Sequence, residues 1–433
     1  MIKLFRDRFR WVLIGWMFVI SATAYLDRVN ISVAGQFIQK DLNLNSTQLG
    51  WVFSAFVLGY ALFQAPGGRI ADRFGPRRVI VLGTLWWGVF TALTASVTKG
   101  LTAALGVLLV IRFVLGMGES VVYPASNCLV ARWVPGSERG IANGWIFAGV
   151  GAGAGVAPPL ITYIVIHYGW RWSFWASAVL GVVVGLVWYW LCRDRPRDHP
   201  MVSAAENRHI SAGLGPPASH LSISWRVILG NRDLRSVTLS YFCYGYSAYI
   251  FFTWFFIYLS KVRGLDLKAS SYYAMLPFMA MAICSPLGGW MSDRLCLSFG
   301  KRVGRCGIAV FGMGLCGVFI AFGTYVRDAR LASIVLAGGA GALYISQSVF
   351  WSVTADLAGE AAGSASGMMN MGNQIGGTIT ASLTPYLANE LGWTASFLVA
   401  AGLCLCGALL WLRVNPYGRL LELEPERSDV AQL

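Results

Sequence analysis

Twelve runs of about 20 mostly apolar residues follow one another along the chain, near 11–35, 48–66, 79–97, 103–131, 141–166, 172–192, 236–259, 271–291, 306–326, 331–354, 362–387 and 394–413. A helix of that length crosses a hydrocarbon core, and in lipid it satisfies every backbone N–H and C=O within itself. Composition agrees: 56% of the 433 residues are hydrophobic, 12% are charged, and mean hydropathy is +0.59. A soluble domain carries about a quarter charged residues. An all-α membrane protein of twelve transmembrane helices is expected, and its short loops leave no room for a soluble catalytic domain.

The net charge of +14 would suggest nucleic acid in a soluble chain. Here its distribution decides. With the N-terminus inside, Lys and Arg number 24 on that side against 8 on the other, leaving Arg28 and Arg112 within runs. Such a bias puts both termini in the cytoplasm; the charge reports topology, with membrane lipid as a secondary partner and no nucleic acid. Lys3 to Arg10, an apolar run and Ala22-Thr23-Ala24 imitate a cleaved secretory signal, but cleavage would remove a spanning helix and spoil the charge count. The nine cysteines are odd in number and mostly within runs, so no disulfide framework is expected, and no metal or cofactor either. Asn45-Ser46-Thr47 matches a glycan acceptor, a triplet common by chance.

The segment 193–235 is polar, holds Pro196, Pro200, Pro216 and Pro217, and divides an N-terminal set of six runs (1–192) from a C-terminal set (236–433). It reads as a cytoplasmic linker with helical propensity from Ala204 to Ile210. After the second run comes Gly68-Arg-Ile-Ala-Asp72-Arg73-Phe-Gly75-Pro-Arg77-Arg78. After the eighth comes Gly289-Trp-Met-Ser-Asp293-Arg294, with Gly300-Lys301-Arg302 beyond a short insertion. One sequence at the same point of each half implies two similar units. In it glycine lets helices approach, aspartate suits a neighbouring helix N-terminus, and the arginines hold the loop in the cytoplasm.

Asp27 and Arg28 in the first run, and Arg112 and Glu119 in the fourth, sit where hydrocarbon is expected. Ionised groups there cost about 2.5 kcal/mol or more and mark substrate or proton pathways. At 1.5 Å per residue, both arginines lie roughly 10–14 Å below the outer surface. Glu119 is two turns beyond Arg112 on the same face. Two cations at one level, with a carboxylate beneath, suit an anion held by the planar fork of arginine. If the anion takes the arginine that had neutralised Asp27 or Glu119, that carboxylate loses its partner and gains a negative neighbour; proton uptake is then linked to anion binding. The plainer alternative is a structural pair, Asp27 with Arg112 or Arg28 with Glu119.

The motif at 68–78 and its weaker copy resemble the loop signature of the major facilitator superfamily, along the whole chain. Tyr25-Leu-Asp27-Arg28-Val-Asn30, Arg112-Phe-Val-Leu-Gly116-Met-Gly118-Glu119, Arg132 to Gly140 and Arg193 to Pro200 resemble its anion:cation symporter family. That family includes proton-coupled carriers of hexonates, hexarates and hexuronates, with relatives among vesicular glutamate and sialic acid transporters. The resemblance implies two pseudo-symmetric six-helix bundles, alternating access, a monomer, and import of a small organic anion with protons. It further implies substrate contacts at Tyr25, Tyr60, Ser348, Trp351 and Asn370 or Asn373, and gating around Gly68, Asp72, Arg73, Arg77, Arg78, Asp293 and Arg294. Asp356 falls near the cytoplasmic end of its run and suits a cap or gate.

One departure stands out. Sugar-acid carriers place an amide partway along the fifth helix, where this chain reads Ile146-Phe147-Ala148-Gly149-Val150-Gly151; a shorter or less hydroxylated acid gains ground. The glycines at 149, 151, 153 and 155 read as helix packing rather than a phosphate loop. Exchange of anions is the rival transport reading, and a sensor without flux a remoter one.

Overall fold

In the computed structural model the described residues are 7–44, 46–98, 104–214, 225–255 and 258–418. Among them there is no strand, and long helices supply twelve crossings. In order these spans are Phe9–Leu42, Ser46–Phe74, Pro76–Ser96, a fourth in two pieces, Arg139–Tyr168, Trp170–Leu191, Arg232–Thr253, Leu267–Phe299, Ile308–Tyr325, Ala329–Ala358, Ala362–Leu391 and Trp393–Leu410. The fourth is Ala104–Glu119 followed by Val122–Trp133. Pro124 lies in the first turn of the second piece, where its missing N–H is tolerated. Asn45, Pro216 and Pro217 lie outside the described residues.

Nine segments among the described residues are apolar and long enough to cross a membrane by composition. The second, seventh and eleventh spans fall short of that measure. Gln64, Tyr241, Tyr244 and Tyr246 of the seventh span, and Asn370, Asn373 and Gln374 are buried in the protein rather than turned toward lipid. The twelve runs are therefore less alike than the sequence suggested.

Packing repeats between the halves. The first span packs on the fifth, the second on the fourth and the third on the sixth; likewise the seventh on the eleventh, the eighth on the tenth and the ninth on the twelfth. The bundles meet where the fifth touches the eighth and the second touches the eleventh. Turns repeat too: Gly75 and Gly300 precede the third and ninth spans with φ 87° and 84°, Gly169 and Gly392 the sixth and twelfth with 88° and 86°. A side chain is strained at such angles, so glycine is required. Gly169-Trp170-Arg-Trp-Ser173-Phe174 and Gly392-Trp393-Thr-Ala-Ser396-Phe397 form a second internal repeat that the reading of the sequence missed.

The glycine run of the fifth span packs closely at three of its four positions. Added Cβ atoms at Gly149 and Gly153 would lie 2.4 and 2.1 Å from carbonyls of the first span, and at Gly151 2.6 Å from Phe278 O; Gly155 meets nothing within 4 Å. In the linker, Ser203 caps the helix Ala204–Gly213 by accepting from Glu206 N–H at 3.1 Å. The Glu206 carboxylate in turn accepts from the N–H groups of Phe9 and Arg10 at 2.7 and 3.1 Å, which closes the start of the first span. Arg10 also bridges Glu206 and Glu138 at 2.9 and 2.7 Å. The face carrying these contacts is called the linker face below.

Candidate functional site

The four membrane charges lie together in the N-terminal bundle. Asp27, Arg112 and Glu119 are 1, 2 and 1% exposed. Arg28 Nε donates to Glu119 Oε1 at 2.8 Å. The Arg28 guanidinium stands 4.1 Å from the Tyr60 ring centre, 4.8 Å from Tyr25 and 5.3 Å from Phe56. Arg112 stands 4.8 Å from the same Phe56 ring, so the two cations flank one aromatic group. Asp27 takes neither arginine as a direct partner. Its Oδ2 accepts from Trp87 Nε1 at 2.9 Å and from Thr91 Oγ1 at 3.0 Å.

Five polar atoms of this group are buried with no hydrogen-bond partner: Arg28 Nη2, Arg112 Nε and Nη1, Asp27 Oδ1 and Glu119 Oε2. Buried polar atoms are ordinarily paired, and an unpaired one costs about 1–3 kcal/mol. Chemically the set holds donor positions on two cations and acceptor positions on two carboxylates.

Between the bundles lies a small cavity of about 30 Å³, room for about two water molecules. Neither Arg28 nor Arg112 is among the residues that line it. Its wall is tyrosine: Tyr25, Tyr60 and Tyr123 from the N-terminal half, Tyr241, Tyr244, Tyr249 and Tyr344 from the other. Arg28 lies against two of these rings, and Arg112 stands against Phe56, outside the lining. Trp351, Asn370, Asn373, Gln347 and Gln374 also line the cavity, whereas Ser348 does not. Phe147, from the stretch of the fifth span that carries no amide, is on the wall too, 5.1 Å from Trp351 and stacked on Tyr123 at 5.2 Å.

On the linker face the bundles are fastened by matching contacts. Asp72 accepts from Gly363 N–H, Ser364 N–H and Ser364 Oγ at 2.9, 2.7 and 2.6 Å, at the start of the eleventh span. Asp293 accepts from Gly140 and Ile141 N–H at 3.0 and 2.7 Å, at the start of the fifth. Both are acids at helix N-termini, where anions are favoured. Asp293 is further held by Arg305 at 2.7 Å, and Arg305 donates to Gly136 O at 2.9 Å. Arg139 donates to Asp356 at 2.6 Å across the same seam. Arg73, Arg78 and Arg294 are exposed instead, and Arg77 donates its backbone N–H to Asp194 of the linker and its Nε to Tyr189 O.

Several residues here escaped the reading of the sequence. Trp87 and Thr91 had a weak signal, two hydrogen-bond donors one turn apart. Tyr241, Tyr244 and Tyr249 form a visible row of tyrosines in one span. Arg305 had none, since in the sequence it belongs to a basic connection, whereas the structure buries it together with Gly304 and Cys306. Among the described residues no group of three or more metal-ligating side chains is gathered.

A family model described as Major Facilitator Superfamily matches residues 17–379 and 299–432. The chain is 36% identical over 419 residues to a probable sulfoacetate transporter of Cupriavidus necator, covering 95% of each. It is 30% identical over 450 residues to a probable galactarate/D-glucarate transporter of Bacillus subtilis, covering 97% of this chain and 96% of that one. In fold it is similar to the proton:xylose symporter XylE bound to 6-bromo-6-deoxy-D-glucose, with a TM-score of 0.73 and 14% identity over 94% of this chain and 96% of that one.

Proposed function

The chain belongs to the Major Facilitator Superfamily and is a multi-pass membrane transporter; from that premise we propose that it imports an organic anion together with protons by alternating access. The observation that carries this reading is Arg28, which contacts Glu119 through Nε while Nη2 has no partner. An entering carboxylate would take the guanidinium and release Glu119, whose charge a proton then neutralises. Asp27 is the second proton carrier and Arg112 the second cation. Seven-tyrosine walls and the amides of the eleventh span would hold the body of the substrate. The linker face, rich in Lys and Arg, is the cytoplasmic side of a bacterial inner membrane.

A sugar acid is the substrate class favoured by the galactarate/D-glucarate relative. A second reading, a shorter acid, is favoured by the apolar Phe147 on the cavity wall and by the sulfoacetate relative. Accumulation of labelled acid in energised vesicles tests the proposal. Uptake abolished by collapse of the pH gradient is expected. Accumulation indifferent to the gradient would point to exchange, and no flux at all to a sensor.

A further inference from the structure

Tyr241 lies on the cavity wall of the C-terminal half, 2% exposed. Its hydroxyl oxygen accepts twice, from Gln347 Nε2 at 2.9 Å and from Trp351 Nε1 at 3.0 Å. A hydroxyl has one hydrogen to give and two lone pairs to receive. Both lone pairs are engaged, and among the described residues nothing takes the hydrogen. Gln347 is the complement: its N–H group faces Tyr241, and its Oε1 is buried with no partner. A free donor and a free acceptor therefore sit side by side on one wall of the cavity.

We propose that Tyr241 and Gln347 form a subsite that reads a hydroxyl group of the transported acid, on the wall facing the half that holds Arg28. A hydroxyl is the small substituent that accepts and donates at once, so it completes both residues together. A carboxylate or sulfonate could accept from Tyr241 but would set negative oxygen against Gln347 Oε1. A methylene would leave both buried groups unpaired, which is how sites built on hydrogen bonds reject analogues. Trp351 is then a positioning residue. Its indole N–H fixes the Tyr241 oxygen, and the Phe350 ring, 4.5 Å away, holds the phenol from another side. The subsite rests on the anion-carrier reading and, within it, selects hydroxy acids over hydroxyl-free acids.

The test measures binding of matched pairs, gluconate with hexanoate, glycerate with propionate and glycolate with acetate, to the full-length protein in lipid nanodiscs. In at least one pair the hydroxy acid should bind about tenfold tighter, the scale of a hydrogen bond to a buried partner. Tyr241→Phe and, independently, Gln347→Met should each shrink that preference to about twofold or less. Gln347→Met removes the acceptor and leaves Tyr241 bonded to Trp351, so it decides the matter should Tyr241→Phe fail to fold. Equal or tighter binding of the hydroxyl-free member in every pair overturns the subsite, as does a preference that survives Gln347→Met. Failure of all six acids to bind the unaltered protein would instead overturn the anion-carrier reading and the subsite with it.

Discussion

Arg28 and Glu119 join the first and fourth spans through a single 2.8 Å contact at Nε, so the guanidinium is held in place by one edge. Removing one partner of a buried pair leaves an uncompensated charge, at about 3–5 kcal/mol. Partner exchange avoids that. An anion at Arg28 together with a proton at Glu119 keeps every charge matched at each stage, while an anion alone does not.

That requirement makes the two carboxylates separable by experiment. Asp27→Asn or Glu119→Gln should abolish uptake driven by a pH gradient, while counterflow of substrate between liposome interior and bath survives in at least one of them. Undiminished gradient-driven uptake in both variants sinks the assignment.

Arg28→Lys keeps the charge but loses the planar fork. Lysine can reach Glu119 or the substrate as a point charge but cannot hold a carboxylate by two parallel bonds. Loss of one charge-assisted bond, about 1.5–3 kcal/mol, corresponds to a half-saturating concentration raised roughly 10- to 100-fold. A change under about threefold would mean that the fork does not hold the substrate.

The fold was legible because the constraints that fix it are local: apolar length, the Lys and Arg bias, and a glycine-aspartate motif recurring after the second and eighth spans. That motif even carried its contact, since Asp72 does cap a neighbouring helix. The site was legible in its charges, which stand out in hydrocarbon, and less so in its partners. Asp27 could not be seen to choose Trp87 and Thr91 over Arg112, because that choice depends on how the third span is rotated against the first. Arg305 was invisible for a similar reason. A basic loop residue looks solvated until the opposite bundle places Gly136 O beside it.

The linker helix should loosen in acid. Glu138 is bonded to Arg10 and His209. Burial pushes its carboxyl up, but the hydrogen bonds from Arg10 and His209 outweigh burial and hold it below the usual 4.5. A lowered carboxyl stabilises the fold above its unfolded value and loses that contribution as pH falls through the folded one. Melting temperature should therefore drop below pH 4.5 more steeply in the unaltered protein than in Glu138→Gln. Parallel curves for the two proteins would mean that Glu138 does not fasten the linker.

The two fastenings of the linker face differ in what their loss exposes. Among the described residues Asp72 binds only uncharged donors, so Asp72→Asn keeps an oxygen acceptor and weakens the bonds from the charged to the neutral class, by about 1 kcal/mol. That shifts the balance toward opening at this face by roughly fivefold. Asp293→Asn also removes the bonded anion of Arg305, which is fully buried and has Asp356 oxygen only at 3.8 Å. Its effect should be larger, on opening and on melting temperature alike. Gly68→Val should be the most severe for closure, because an added Cβ would lie 2.0 Å from Gly363 O in the closed seam. Spin labels at the exposed positions Arg73 and Arg294, one in each half, read the separation directly. Distances should lengthen least in Asp72→Asn and most in Gly68→Val, and closed-state distances retained in Gly68→Val would show that this seam does not hold the linker face shut.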